Sequence, residues 1–382
     1  MTKLYAELRS RQDRGPFVAR LTTDAALHPA QRPSEALLLD YPQNQDTSGF
    51  QAVFARSPVL ASQGAFEDAF YLPPEMDYLE TGDIVKVVPR TGSIQVLYRR
   101  WSPNNFLFLT ERCNSKCLMC SQPPRDIDDR YRTEDALQAV QLMSRETTSL
   151  CLTGGETLLL HQELLRLIQT ARTHLPQTQL DVLTNGRLLS YLRYAHQIAA
   201  VGHPHLTLCI PLYADVDSLH DFVVQAEGAF DQTIRGLLNC GRVGIGVEIR
   251  VVLHKQNYAR LPHLATFIAR NLPFVSHVAL MGLEMTGYTK ANLNALWIDP
   301  IDYRDELVAA VETLDWAGVH VSIYNHQLCL LPKPLWLFAH KSISDWKNIY
   351  MPECNQCSAK GQCGGFFSSA ALRYSAHIQA VA

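Results

Sequence analysis

Phe106-Leu107-Phe108-Leu109-Thr110-Glu111-Arg112-Cys113-Asn114-Ser115-Lys116-Cys117-Leu118-Met119-Cys120 is the stretch on which the fold turns. Its apolar start reads as a buried strand, so the three cysteines fall on the loop that leaves it. Their spacing is C-x3-C-x2-C. Three thiolates this close can hold three corners of a 4Fe-4S cube and leave the fourth iron without a protein ligand. Cluster sites normally use four thiolates, so a missing fourth suggests an iron reserved for another ligand. A zinc knuckle and three unrelated thiols are the competing readings. Zinc prefers four donors in paired spacing, and no suitable histidine stands close by.

A second block follows at Ser149-Leu150-Cys151-Leu152-Thr153-Gly154-Gly155-Glu156. It is a short apolar strand running into two glycines and a carboxylate. Paired glycines allow a sharp turn and a close backbone approach. A carboxylate beside them can accept a hydrogen bond from an ammonium group. Alone, such a tripeptide usually marks a plain turn. Placed one βα unit after the triad, it resembles the Gly-Gly-Glu element of radical S-adenosylmethionine (SAM) enzymes, and the triad loop resembles their cluster loop. The resemblance implies that Cys113, Cys117 and Cys120 bind a 4Fe-4S cluster whose open iron chelates SAM. It implies that Gly154, Gly155 and Glu156 meet the SAM amino group. Many members have proline after the glutamate. Here it is Thr157, which is expected to leave the turn less rigid.

The composition fits a soluble enzyme. The chain has 382 residues and a formal net charge of -3, which offers no electrostatic argument for nucleic acid. No apolar run reaches bilayer-spanning length, and the polar start Met1-Thr2-Lys3 does not read as a signal peptide. Ten cysteines, seven of them grouped at two places, fit metal binding in a reducing cytoplasm better than a disulfide framework. The expected location is therefore cytoplasmic, with no membrane contact.

Three regions are expected. Residues 1–103 read as a β-rich accessory domain. Its clearest feature is a hairpin, Asp83–Val88 and Ser93–Tyr98 around Pro89-Arg90-Thr91-Gly92, while the stretch from Thr23 to Gly64 lacks clear periodicity. Residues 104–300 alternate strands and helices, which implies a parallel sheet. Further strands are expected at Leu180–Thr184, Leu206–Ile210, Val247–Val252 and His277–Met281, making six in all with the two above. Helices are expected from Thr133, as a hydroxyl N-cap, and over Gln162–His174 and Leu261–Ala269. Six such units match the partial (β/α)6 barrel that the resemblance implies, an α/β fold with ligands at the C-terminal strand ends. Residues 301–382 are expected to form a C-terminal auxiliary-cluster domain.

Further SAM contacts follow from the family pattern. Thr184 and Asn185 end the third strand, in a turn the family commonly carries there. Arg250 is placed to pair with the SAM carboxylate. Val278 and Leu280 are placed to pack against adenine. Met119 stands where many members have an aromatic residue whose backbone touches adenine. His220-Asp221 and Gly228–Asp231 resemble a stretch of peptide-modifying members and read as structural. Cys151, Cys209 and Cys240 read as packing residues.

The second cysteine group is Cys354, Cys357 and Cys363, in C-x2-C-x5-C spacing, with Cys329 lying earlier in the chain. Four thiolates would close a cluster fully, giving an auxiliary 4Fe-4S centre of the twitch or SPASM kind. A structural four-cysteine zinc site is the alternative. Thr110–Cys113, Cys117–Pro124, Ser342–Asn348 and Cys363–Phe367 together resemble the HxsC maturase family of the His-Xaa-Ser system. That resemblance implies a ribosomally made peptide or protein substrate with His-Xaa-Ser repeats. It also implies a second radical SAM maturase, a small companion protein and an external electron donor as partners. Radical SAM modification of RNA or of a small molecule, and a non-catalytic iron-sulfur or zinc scaffold, are the other functional readings.

Overall fold

The computed structural model describes residues 5–7, 13–40, 46–56, 69–341 and 349–382. The run Ser342–Asn348, one of the stretches behind the HxsC resemblance, lies outside the described residues.

Two sheets build the molecule. The second carries the triad. Its strands are β8 (Asn105–Phe108), β9 (Ser149–Thr153), β10 (Gln179–Leu183), β11 (Leu206–Pro211), β12 (Gly246–Leu253), β13 (His277–Gly282), β14 (His320–Tyr324) and β15 (Ala339–His340). They lie side by side in chain order, every pairing parallel. The six expected strands are all present. The sheet then continues past residue 300 into β14 and β15 through the helix Arg304–Trp316. The residues that announce β14, His320-Val321-Ser322-Ile323-Tyr324, alternate polar and apolar over a run too short to stand out.

Alternation sorts the two faces. On β12, Val247, Ile249, Val251 and Leu253 are buried against the helices. Glu248, Arg250 and Val252 take the opposite, concave face. Outside the sheet pack the helices Tyr131–Leu142, Gln162–His174, Leu192–Val201, Ala229–Val243, Leu261–Asn271 and Arg304–Trp316. One continuous apolar core fills the space between sheet and helices. The first of these helices begins at Tyr131, so the expected cap Thr133 instead lies buried within its first turn.

The N-terminal sheet has the order β1 (Tyr5–Glu7), β7 (Ser93–Tyr98), β6 (Ile84–Val88), β2 (Phe17–Thr22), β3 (Glu35–Leu39), β4 (Ala52–Ala55), β5 (Ala69–Tyr71). The expected hairpin is β6–β7. β3 and β4 arise inside the stretch that showed no periodicity. Every residue of both strands is buried, and strands covered on both faces read as continuous apolar runs rather than as alternation.

This sheet is seated on the core. Val18, Ile84 and Tyr98 join the main apolar core, and the Tyr98 hydroxyl meets the Thr147 hydroxyl at 2.9 Å. Lys86 forms an enclosed ion pair with Asp135 of the helix Tyr131–Leu142, with its ammonium over the Tyr131 ring. Among the described residues, no helix is long and apolar enough to cross a membrane.

Removing one partner of an enclosed ion pair leaves a desolvated charge, a cost of about 3 kcal/mol. Lys86→Met is therefore expected to lower unfolding free energy by about that amount. The double variant Lys86→Met/Asp135→Leu is expected to recover more than half of the loss. Denaturant titration checks this. Equal losses in both proteins would mean the pair does not join the two units.

Candidate functional site

The triad loop leaves β8 at the C-terminal edge of the parallel sheet and is held from three sides. Asp129, fully buried, accepts hydrogen bonds from the Thr110 hydroxyl at 3.2 Å and from the Glu111 N–H at 2.5 Å, with Arg112 at 3.6 Å. The Lys116 and Leu118 N–H groups donate to the carbonyls of Val224 and Val223. Arg187 donates to the Asn114 carbonyl at 2.6 Å and to the Ser115 hydroxyl at 3.1 Å, while the Asn185 amide bonds to Asn114 at 2.6 Å. Asp129 and Arg187 escaped the sequence reading, because neither lies at a diagnostic spacing from the triad.

The end of β9 presses onto this loop. The Gly155 N–H donates to the Thr110 carbonyl at 2.7 Å, and the Glu156 N–H to the Arg112 carbonyl at 2.8 Å. A Cβ on Gly154 would stand 2.6 Å from the Thr110 oxygen. One on Gly155 would stand 2.3 Å from the Arg112 oxygen and 3.1 Å from Cys113 Cβ. No side chain fits either place, so here the two glycines serve a backbone-to-backbone contact.

Glu156 is completely buried. Its Oε1 accepts from the Leu158 N–H at 2.9 Å and the Thr184 hydroxyl at 2.5 Å, and its Oε2 from the Asn185 N–H at 2.7 Å. Burial pushes its pKa up, and these donors pull it back. The expectation of a carboxylate free to meet an ammonium needs correction. Glu156 chiefly ties the end of β9 to the end of β10, and Oε2, with one donor, is the oxygen with acceptor capacity to spare. Thr184 and Asn185, expected as SAM contacts, are partners of Glu156 here. Thr157 does not loosen the turn, since its hydroxyl donates to the Leu183 carbonyl at 2.8 Å.

Met119 lies enclosed among Tyr213, Val223 and Leu296, and its carbonyl accepts from the Thr289 hydroxyl at 3.2 Å. Arg250 projects onto the concave face, where its Nε pairs with Glu248 at 2.5 Å. A SAM carboxylate would meet it only through the remaining guanidinium nitrogens. Glu248 also takes His277 at 2.7 Å, and His277 reaches the Ser322 hydroxyl at 2.9 Å. Burial alone would raise Glu248, but His277 and Arg250 outweigh it and hold the pKa at about 2. Val278 and Leu280 do not reach the concave face. Both are buried in the helix-facing core, because strand parity gives the concave side of β13 to His277, Ala279 and Met281.

His220 and Asp221 are structural, as expected. Asp221 accepts from the Gly228 and Phe230 N–H groups, and His220 Nδ1 from the Tyr213 N–H. Cys240 is core packing, whereas Cys151 and Cys209 stand on concave-face positions of β9 and β11.

The triad thiols are half-buried. Burial raises the Cys113 pKa to about 11 and that of Cys117 to about 12. Such thiols become thiolates only with a strong compensating positive charge, which cluster iron supplies. Among the described residues, no three cysteine, histidine or acidic side chains converge as a single metal ion requires. A cube distributes its thiolates over separate irons and does not need that convergence.

The second group comes together. Cys329, Cys354, Cys357 and Cys363 line one small cavity with Gln327, Tyr350 and Phe366. Backbone N–H groups of Leu328 and Gly365 point at Cys363 Sγ at 3.5 Å, and that of Val381 at Cys357 Sγ at 3.4 Å. Hydrogen bonds to sulfur are among the features that tune iron-sulfur sites.

Residues 107–268 match the sequence model of the Radical SAM superfamily. That stretch, less than half of the chain, is similar to the domain of that superfamily. Among curated proteins it is similar to pre-heme d1 synthase of Dinoroseobacter shibae, 30% identical over 159 residues, which are 41% of this chain and 38% of that one. It is also similar to Fe-coproporphyrin III synthase of Methanosarcina barkeri, 29% identical over 157 residues, 40% of this chain and 38% of the other. The chain thus spans well under half the length of these relatives. Among solved structures, SuiB of Streptococcus suis bound to S-adenosylmethionine aligns with a TM-score of 0.48 and 17% identity, over 60% of this chain and 51% of that one.

Two variants probe the triad loop and its contact with β9. Gly155→Ala forces the Arg112 carbonyl away and is expected to destabilise by about 1–3 kcal/mol. It should also lower bound iron after anaerobic reconstitution. Gly15→Ala, with nothing within 4 Å of its Cβ, is the control, and iron content with thermal unfolding is the readout. Unchanged iron would show that the contact does not shape the triad loop. Glu156→Gln puts an NH2 against a backbone or hydroxyl donor, so stability is expected to fall by about 1–3 kcal/mol even without SAM. A loss of SAM affinity at unchanged thermal stability would return Glu156 to a pure ligand role.

Proposed function

We propose that the protein is a radical SAM enzyme that modifies a peptide or protein segment. The observation that carries this reading is three half-buried thiols on the loop after the first strand of the second sheet, pressed by a Gly-Gly-Glu strand end. Cys113, Cys117 and Cys120 would hold the SAM-binding 4Fe-4S cluster. Gly154, Gly155 and Glu156, with Thr184 and Asn185, would form the wall for the SAM amino end. Met119 and Arg250 would serve as secondary contacts. When bound, cluster and SAM supply reductive cleavage of SAM and hydrogen-atom abstraction. The protein residues position the cofactor and exclude water. The partial burial of the triad and the full burial of Glu156 support both roles.

Cys329, Cys354, Cys357 and Cys363 are read as the ligands of a second, auxiliary 4Fe-4S cluster. Their shared cavity and the N–H groups aimed at two of the sulfurs support it. An external electron donor would serve either cluster. The HxsC resemblance supports a His-Xaa-Ser repeat protein as substrate, with a second radical SAM maturase and a small companion as partners.

A small-molecule substrate is the second reading, favoured by the names of the curated relatives, which concern heme d1 and iron coproporphyrin III. Such tetrapyrroles carry several carboxylates. The largest cavity at the strand ends is lined by one charged side chain, Arg373, which supports the peptide over a polyanion.

The test is anaerobic. Cys113→Ala/Cys117→Ala/Cys120→Ala should abolish deoxyadenosine formation from SAM and remove about half of the iron, since a second cluster would remain. On that background, Cys329→Ala should remove the rest. Deoxyadenosine formation by the triple variant would overturn the enzymatic assignment. Zinc in place of iron at the remaining site, or iron unaffected by loss of Cys329, would overturn the four-cysteine cluster.

A further inference from the structure

A cavity lies at the C-terminal ends of three neighbouring strands. Leu253 ends β12, Gly282 ends β13, and Asn325 and Gln327 follow β14. In parallel α/β sheets this is the end where ligands bind. The opposite wall comes from the segment just after Cys363.

The cavity is joined to both cysteine sites. The loop after β13 lines it through Met285 and Trp297. The same loop lies against the triad, with the Tyr288 N–H on the Cys120 carbonyl at 2.8 Å and the Asn292 amide on the Leu118 carbonyl at 2.9 Å. A Cβ on Gly287, whose φ is +51°, would stand 2.3 Å from the Cys120 oxygen. On the other side, Gln327 and Phe366 wall both this cavity and the four-cysteine cavity.

Its lining is chemically selective. Rings dominate, with Trp297, Tyr303, Phe366, Phe367 and Tyr374. Tyr303 is already satisfied. His326 Nδ1 faces the Tyr324 carbonyl and must donate, so Nε2 accepts from the Tyr303 hydroxyl at 2.9 Å. The neutral polar groups are the Asn325 and Gln327 amides and the Ser369 and Ser375 hydroxyls. The single charge is Arg373, exposed and stacked 4.4 Å above the Trp297 ring. Among the described residues it has no ion-pair partner within the cavity lining.

Rings with one cation at the mouth suit a ring-bearing ligand with one negative charge. We propose that this cavity is a substrate-specificity subsite. It takes an aromatic or imidazole side chain of a peptide whose adjacent carboxylate is met by Arg373. The inference rests on the peptide-modifying reading and deepens it.

Calorimetry on the anaerobically reconstituted full chain tests the subsite. The probes are N-acetyl-L-phenylalanine and N-acetyl-L-histidine, their methylamides, N-acetyl-L-alanine, and iron coproporphyrin III as polyanionic rival. The ring acids are expected to bind about tenfold more tightly than the alanine probe, because the ring leaves water. Converting acid to methylamide should weaken binding by about three- to tenfold, a range limited by solvent around Arg373. Arg373→Gln, at an exposed position, should erase that acid–amide difference. Ala370→Trp, which fills the cavity, should abolish ring binding.

Equal affinity for ring and alanine probes, an acid preference that survives Arg373→Gln, or tighter binding of iron coproporphyrin III would each overturn the subsite. Deoxyadenosine formation from SAM separates the two readings. SAM cleavage without ring binding removes the subsite alone. Ring binding by a protein unable to cleave SAM removes the enzymatic reading alone.

Discussion

The contact between the end of β9 and the triad loop organises the rest of the molecule's active end. Two carbonyls of the loop, Thr110 and Arg112, receive the N–H groups of Gly155 and Glu156. The approach is too close for any Cβ. Buried polar backbone must be paired, and here the pairing aligns a loop that has no regular structure of its own. Glu156 passes the constraint on to β10 through Thr184 and Asn185, and Asn185 returns to the loop through Asn114. The loop, two strand ends and one buried carboxylate thus form a closed hydrogen-bonded ring.

The same economy recurs at the outer end of the sheet. Residues after β13 rest on the triad loop, and the segment after Cys363 faces the ends of β12 to β14. The cavity between them shares Gln327 and Phe366 with the four-cysteine site. A side chain entering there would stand against walls contributed by both cysteine regions. That arrangement follows from the parallel sheet, which gathers all its loops at one end.

The concave face holds a polar network of Arg250, Glu248, His277 and Ser322. Arg250 was expected to serve SAM, yet its Nε is engaged two residues away on its own strand. The pattern Val247-Glu248-Ile249-Arg250-Val251 shows which residues share a face. It does not show which of them pair, because that depends on β13 and β14 arriving alongside.

How much was legible depended on distance along the chain. The triad, Gly-Gly-Glu, the helices Gln162–His174 and Leu261–Asn271 and six parallel strands rest on local spacing and periodicity, and these were readable. β3 and β4 were not, because burial on both faces removes the alternation that marks a strand. Thr133 looked like a helix cap, but tertiary packing starts the helix at Tyr131. Val278 and Leu280 look available as apolar residues near a strand end, and only the sheet's parity assigns them to the core. The sequence by itself determined the parallel α/β class and the two cysteine groups, since those depend on residue type and short spacing. Only the tertiary structure decided that Glu156 is enclosed and that Asp129 and Arg187 brace the triad. Those are contacts between segments far apart in the chain, and no local pattern encodes them.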